Sequence, residues 1–193
     1  HYGLNFLRNK KILDVGGGIN PILSAKNIYI TDFKIQKKIK RLFKKNFFEV
    51  NIENKVIKKK FDHIFLIHTL EHFKYPMKAM KNISKSLKIN GRLFLEVPNF
   101  NFHTINRTYY GIFHQHLSMF TIKHLNNFLN LSGMKIEKLF LNKEVIFCSV
   151  KKIEILKTKI DFIDNRIIFE RFKKNLNLMK KKISKYLKNE KFD

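Results

Sequence analysis

Short apolar runs alternate with amphipathic stretches along most of the chain, a pattern that predicts parallel strands joined by helices. Ile12, Leu13 and Val15 make the first run, Ile28 to Ile30 the second, and residues 47–52, FFEVNI, a third strand. Phe61–Ile67, FDHIFLI, is the most apolar and is expected at the centre of the sheet, where both faces are covered. Residues 92–97 form a fifth strand, ended by Pro98. Between these runs Ile35, Ile39, Leu42 and Phe43 recur at helical spacing within residues 33–45, with lysines on the other face. Met77, Met80, Ile83 and Leu87 do the same over residues 75–88. Asn20 offers an N-cap and Pro21 a first helical residue, so a short helix is expected between the first two strands. Leu4, Phe6 and Leu7 read as the end of a helix that feeds the first strand.

The C-terminal third changes pattern. Thr121 is a good N-cap for Ile122–Leu131, whose Leu125, Phe128 and Leu129 make a core face, and Gly133 closes that helix. Met134–Leu141 is expected to pair with residues 144–152 as a hairpin on which Cys148 points inward. Beyond residue 152, Ile168, Phe172, Leu176, Met179, Ile183 and Tyr186 are spaced by fours and threes. That spacing predicts a long amphipathic helix with a lysine-rich exterior. The expected division is therefore a domain over residues 1–152 and a basic helical extension over 153–193, which packs on the domain or pairs with a second copy.

Composition narrows the picture. With 193 residues, 44% of them hydrophobic and 20 of them Phe, there is material for one packed core. No run of about 18 apolar residues is present, so a membrane-spanning helix is excluded. The N-terminal residues lack a basic-then-apolar-then-small signal pattern, and the lone Cys148 permits no internal disulfide, so the expected location is the cytoplasm. The formal net charge of +25 allows nucleic-acid binding. The lysines, however, are scattered through every helix rather than gathered on one element, which favours a solvated surface that still attracts anionic small molecules.

Candidate chemistry begins where the first strand meets Gly16, Gly17 and Gly18. A strand running into a glycine bend brings backbone N–H groups close to a ligand. Asp32, eighteen positions beyond Asp14, ends the second strand, where a carboxylate accepts hydrogen bonds from a ribose. Asp14 just before the bend would repel a pyrophosphate and suits a cationic ligand. Past the fourth strand stands His68-Thr69-Leu70-Glu71-His72, at the end of the sheet where α/β folds bind ligands. His63, inside that strand, reads as a packing histidine. His68, Glu71 and His72 have metal-ligand spacing, yet no further ligand set stands near them in sequence, and no metal is expected. Residues 99–120 lack regular periodicity and carry His103, Arg107, Tyr109, His114 and His116, a composition suited to a polyhydroxylated or phosphorylated acceptor.

These blocks resemble the class I S-adenosylmethionine-dependent methyltransferases. Asp14-Val15-Gly16-Gly17-Gly18 is similar to motif I of that family, usually an acidic residue, an apolar one and Gly-x-Gly. Phe61-Asp62, Leu70-Glu71-His72, Pro76 and Leu87-Lys88-Ile89-Asn90-Gly91 resemble motifs IV to VI. Where the family has Pro-Gly in the last of these, the chain has Ile89-Asn90, and Asn90 at positive φ is expected to make the same bend. His114-Gln115-His116-Leu117 resembles an element found before the last helix in sugar C- and O-methyltransferases, although Phe113 and Gln115 stand where the C-methyltransferases have Tyr and Glu.

The resemblance implies an α/β, Rossmann-like, doubly wound, seven-stranded, mostly parallel sheet with a C-terminal antiparallel hairpin, to which the spacing beyond residue 152 adds the amphipathic helix. It implies S-adenosylmethionine as cofactor, with Asp14 and Gly16 to Gly18 at its methionine end, Asp32 on the ribose, Asn51 near the adenine, and His68 at the cleft. A base then takes the acceptor's proton: His116 first, His68 or His72 next, with Glu71 holding an imidazole. His103, Arg107, Tyr109 and His114 are expected on the acceptor, a sugar or nucleotide-linked sugar of a surface-polysaccharide pathway. RNA methylation, or a degenerate domain that only binds, are the alternatives.

Overall fold

The computed structural model describes residue 7, residues 9–22, 26–105 and 115–153, and Lys174, Asn177, Leu178, Lys180, Lys181, Ser184 and Lys185. Seven strands form one sheet: β1 Ile12–Val15, β2 Ile28–Asp32, β3 Phe47–Glu49, β4 Phe61–Ile67, β5 Leu87–Pro98, β6 Met134–Leu141 and β7 Val145–Lys152. Their order across the sheet is β3-β2-β1-β4-β5-β7-β6. The first five run parallel, and β7 runs antiparallel to both β5 and β6. This is the doubly wound order, in which the connections leaving β1 and β4 depart in opposite directions and open a crevice at the strand tips.

Alternation along the strands supplies two separate core layers. Leu13, Val15, Ile64, Leu66, Leu93, Leu95 and Val97 are buried on one face. Helix α2, Pro76–Ser86, covers them with Ala79, Met80 and Ile83, and helix α4, Ile122–Leu131, with Leu125 and Leu129. On the other face Ile12, Ile28 and Ile30 pack against Ile35 and against Ile39 and Phe43 of helix α1, Lys37–Phe43. Leu42, expected on that buried stripe, is 55% exposed and instead lines an open hollow of about 540 Å³ between α1 and residues 19–22. A short helix α3, Phe100–Ile105, follows β5.

Local signals held where no longer-range contact competed. The Thr121 side chain accepts the His124 N–H at 3.3 Å as an N-cap, and Gly133 takes φ 75° just past α4. His63 is buried beside Phe94, and Cys148 is fully buried on β7. The helix expected from Asn20-Pro21 runs into residues 23–25, outside the described residues; Asn20 and Ile22 lie in bends, and the Ile22 N–H donates to Asp14 Oδ2 at 2.8 Å. Two expectations fail. The third strand stops at Glu49, and Asn51 begins a turn instead.

The second failure is at Asn90, which does not adopt positive φ. Leu87 to Pro98 is one continuous strand, with Leu87 opposite Phe61 and Arg92 opposite His63, so residues 88–91 bulge against Asp62. Gly91 is required there by close approach: a Cβ would lie 2.7 Å from the Asp62 carbonyl oxygen. The apolar stripe expected over residues 168–186 lies outside the described residues, as do residues 1–6. The seven described positions between 174 and 185 are helical and exposed, four of them lysines.

Candidate active site

The tips of β1, β2 and β4 meet through a set of short contacts. Gly16 has φ 92°, a region open to glycine, and its N–H donates to the Thr31 carbonyl at 2.8 Å. A Cβ on Gly16 would sit 2.5 Å from Thr69 Oγ1, on Gly17 2.7 Å from Asp14 Oδ2, and on Gly18 2.5 Å from the Lys34 carbonyl. The glycines are thus demanded by the protein's own atoms closing around the bend. Thr69 completes the seam between β1 and β4: its hydroxyl lies 3.1 Å from the Val15 carbonyl and 2.9 Å from that of Ile67.

Two carboxylates flank this bend. Asp14 is buried, and burial together with the nearby Asp32 pushes its carboxyl up to about 6, although the Ile22 N–H works in the opposite direction. Asp32 Oδ2 accepts the Gly18 N–H at 3.1 Å. A cation arriving here relieves the cost of ionising Asp14, and S-adenosylmethionine carries both a sulfonium and an ammonium. The residues present therefore fit that cofactor. Asn51 is exposed and its Oδ1 accepts the Glu53 N–H at 2.8 Å, so half of its amide is committed to a turn.

Past β4, His68 adopts φ 46°, uncommon for a residue with a side chain. Glu96 on β5 holds it twice, through a backbone bond of 3.0 Å to its N–H and a 2.8 Å contact between Oε1 and the ring Nε2. The ring Nδ1 is 3.5 Å from Glu71 Oε1. Glu71 first and Glu96 second raise the imidazole to about 10 against the opposing effect of burial. An imidazolium has no lone pair to receive a proton, so this pairing counts against His68 as the base. Glu96 is not marked by its neighbours in the sequence, because its role depends on pairing with β4, which sets it beside His68.

Leu70, Glu71 and His72 form a 3₁₀ turn. Residues 115–118 lie on it: the N–H groups of Leu117 and Ser118 both donate to the Glu71 carbonyl, at 2.8 and 3.1 Å. That docking brings the His116 ring to 4.8 Å from the His72 ring, centroid to centroid. Of the expected acceptor residues, His103 is the one described. It is buried on α3 with Nε2 3.1 Å from the Glu144 carbonyl, and so ties that helix to the β6–β7 turn. Arg107, Tyr109 and His114 lie outside the described residues.

A family profile described as a methyltransferase domain matches residues 2–139. The chain belongs to that family. It is a class I S-adenosylmethionine-dependent methyltransferase domain, with the Rossmann-like sheet of that class. A methyltransferase of Methanosarcina mazei superposes with a TM-score of 0.60 at 20% identity, over 78% of this chain and 96% of that one. The 1,6-didemethyltoxoflavin-N1-methyltransferase of Burkholderia thailandensis, solved with S-adenosylhomocysteine, gives 0.58 at 13%, over 78% and 74%. The magnesium protoporphyrin IX methyltransferase of Synechocystis, also with S-adenosylhomocysteine, gives 0.55 at 15%, over 77% and 78%. At these identities the likeness is one of fold. No curated protein matches the sequence.

Proposed function

We propose that this methyltransferase acts on a small polar, anionic acceptor, a sugar or nucleotide-linked sugar of a surface-polysaccharide pathway. The observation that carries the reading is a set of contacts along the strand tips. Asp32 bonds Gly18, Thr69 fills the space beside Gly16, Glu71 bonds residues 117 and 118, and His72 meets His116. A cofactor half and an acceptor half thus adjoin. The net charge of +25 favours an anionic acceptor. Residues 1–152 carry both halves, and residues 153–193 serve packing or pairing with a second copy. The lone, buried Cys148 suits a reducing cytoplasm.

Bound at the glycine bend, the cofactor supplies an electrophilic methyl carbon. Asp14 holds its cationic end and Asp32 its ribose, while the backbone of the bend fixes its direction. Such orientation contributes on the order of 7–11 kcal/mol in the best intramolecular cases. Glu71, His72 and His116 handle the proton that leaves the acceptor, a step worth roughly 10²–10⁴-fold.

The test is His116→Ala assayed with labelled cofactor and candidate nucleotide-linked sugars, alongside calorimetry with S-adenosylhomocysteine. Turnover is expected to fall about 10²–10⁴-fold with cofactor affinity held. Full turnover with intact cofactor binding overturns the cluster's role, and no cofactor binding by the wild type favours the degenerate binding subunit. The charge also supports RNA methylation as a second reading. That reading requires retention on RNA with a steep salt dependence, whereas a small-acceptor enzyme shows retention that vanishes near physiological salt.

A further inference from the structure

The geometry points to a divalent first-row transition-metal site formed by Glu71, His72 and His116. One potential ligand atom from each of these side chains lies within 4.8 Å of the other two. Three atoms so placed surround a point no more than about 2.8 Å from each, so a contraction of under about 1 Å reaches the usual bond lengths of about 2.0–2.2 Å. Backbone bonds from Leu117 and Ser118 to Glu71 hold the two segments in that arrangement before any ion arrives.

Independent support comes from Glu71 itself. Its side chain is 1% exposed, and neither carboxylate oxygen makes a hydrogen bond. His68 Nδ1 faces Oε1 at 3.5 Å, an ion-pair distance, while the same ring's Nε2 is bonded to Glu96 at 2.8 Å. A buried carboxylate with no hydrogen bond and so long an ion pair is costly, and a metal ion is the strongest partner it can take. His72 is set up as a ligand as well. Its Nδ1 faces the Gln115 carbonyl at 3.0 Å, and a carbonyl only accepts, so Nδ1 carries the hydrogen and Nε2 the free lone pair. A ligating histidine anchored through its second nitrogen to a carbonyl is the usual outer-shell arrangement.

Two imidazoles and one carboxylate select Mn²⁺, Fe²⁺, Co²⁺ or Zn²⁺ over Mg²⁺ or Ca²⁺, which prefer all-oxygen shells. Three protein ligands leave coordination positions open, and the exposed His72 puts them within reach of solvent. The purpose of the ion rests on the acceptor reading above. With an acceptor hydroxyl on the open position, the ion would lower that hydroxyl's pKa so that its proton passes to solvent water before methyl transfer; His72 and His116 would then serve as ligands in place of the proton-handling role given above.

The experiment uses the full chain, freed of metal with a chelator and dialysed. Titration with Co²⁺, followed by its visible d–d bands, and calorimetry with Zn²⁺ are each expected to show one equivalent bound. Glu71→Gln, His72→Asn and His116→Asn should each weaken that binding at least tenfold, while S-adenosylhomocysteine affinity stays within about twofold and certifies folding. X-ray absorption of the zinc-loaded wild type needs no variant and should show two imidazole nitrogens at about 2.0–2.1 Å with oxygen completing the shell. No stoichiometric metal in the wild type, or an equivalent that all three variants retain, overturns the site. In the latter case Glu71 serves only to hold His68. Metal binding without cofactor binding would sink the cofactor reading and leave the metal site standing, and the converse holds equally.

Discussion

Thr69 Oγ1 occupies the space that a β-carbon on Gly16 would need, 2.5 Å from where that carbon would lie. Gly16→Ala therefore meets two penalties, the φ of 92° and this clash. We expect a loss of about 2–3 kcal/mol in unfolding free energy, measured by urea denaturation. In Gly16→Ala/Thr69→Ala the clash is relieved and the backbone penalty stays, so stability should recover only in part relative to Gly16→Ala. A melting temperature for Gly16→Ala within a degree of the wild type would contradict this.

Asp14 sets a pH dependence. Its carboxyl stands at about 6 in the fold against 3.8 when unfolded. As pH rises from 3.8 to 6 the unfolded chain ionises first, so the fold loses stability across that window and is level above it. A cationic cofactor favours the ionised form, hence its affinity should climb as pH passes upward through about 6. Asp14→Asn is expected to stabilise the ligand-free protein at pH 7 by about 1–3 kcal/mol while flattening the affinity profile. Calorimetric titration with S-adenosylmethionine between pH 5 and 8 checks both the slope and its disappearance.

Gly91 is a structural position remote from the glycine bend. A Cβ there would lie 2.7 Å from the Asp62 carbonyl and 2.8 Å from Leu87 Cδ1. Gly91→Ala should cost about 1–3 kcal/mol of stability with no change in cofactor affinity per folded molecule. A weakened affinity with unchanged stability would place this bulge in the binding site instead.

Cys148 is a reporter of opening. Burial pushes its thiol up to about 12, and the side chain is fully buried. Alkylation by iodoacetamide at pH 8 should be slow in the native protein, should accelerate with urea through the unfolding transition, and should slow further with cofactor bound. Rapid labelling of the native state would mean that β7 leaves the sheet locally.

Features written in neighbouring residues were legible. The strand into Gly16–Gly18, the Thr121 cap, the Gly133 terminus and the apolar centre of β4 each follow from a few adjacent side chains. Asn90-Gly91 shows the limit of such reasoning: a turn signal yields when pairing with β4 and the approach to Asp62 fix the backbone otherwise. Glu71 and His72 could be picked out as a pair, but not their junction with His116, which depends on two backbone bonds across more than forty residues. His68 and His103 were recognisable as polar residues near the strand tips. Their partners Glu96 and Glu144, which settle what those rings can do, were not.

The position of β7 bears on how the domain is made. Its residues leave the ribosome after those of every other described strand, yet it takes an inner place, wedged between β5 and β6 with Ile146, Cys148 and Val150 sealed from water. A nascent chain cut short before residue 145 would present the bare flank of β5 and an orphaned β6, each ready to capture a neighbouring polypeptide. The described sheet thus closes last by filling the place between β5 and β6, one strand in from the edge, and a product stalled before residue 145 is a seed for aggregation.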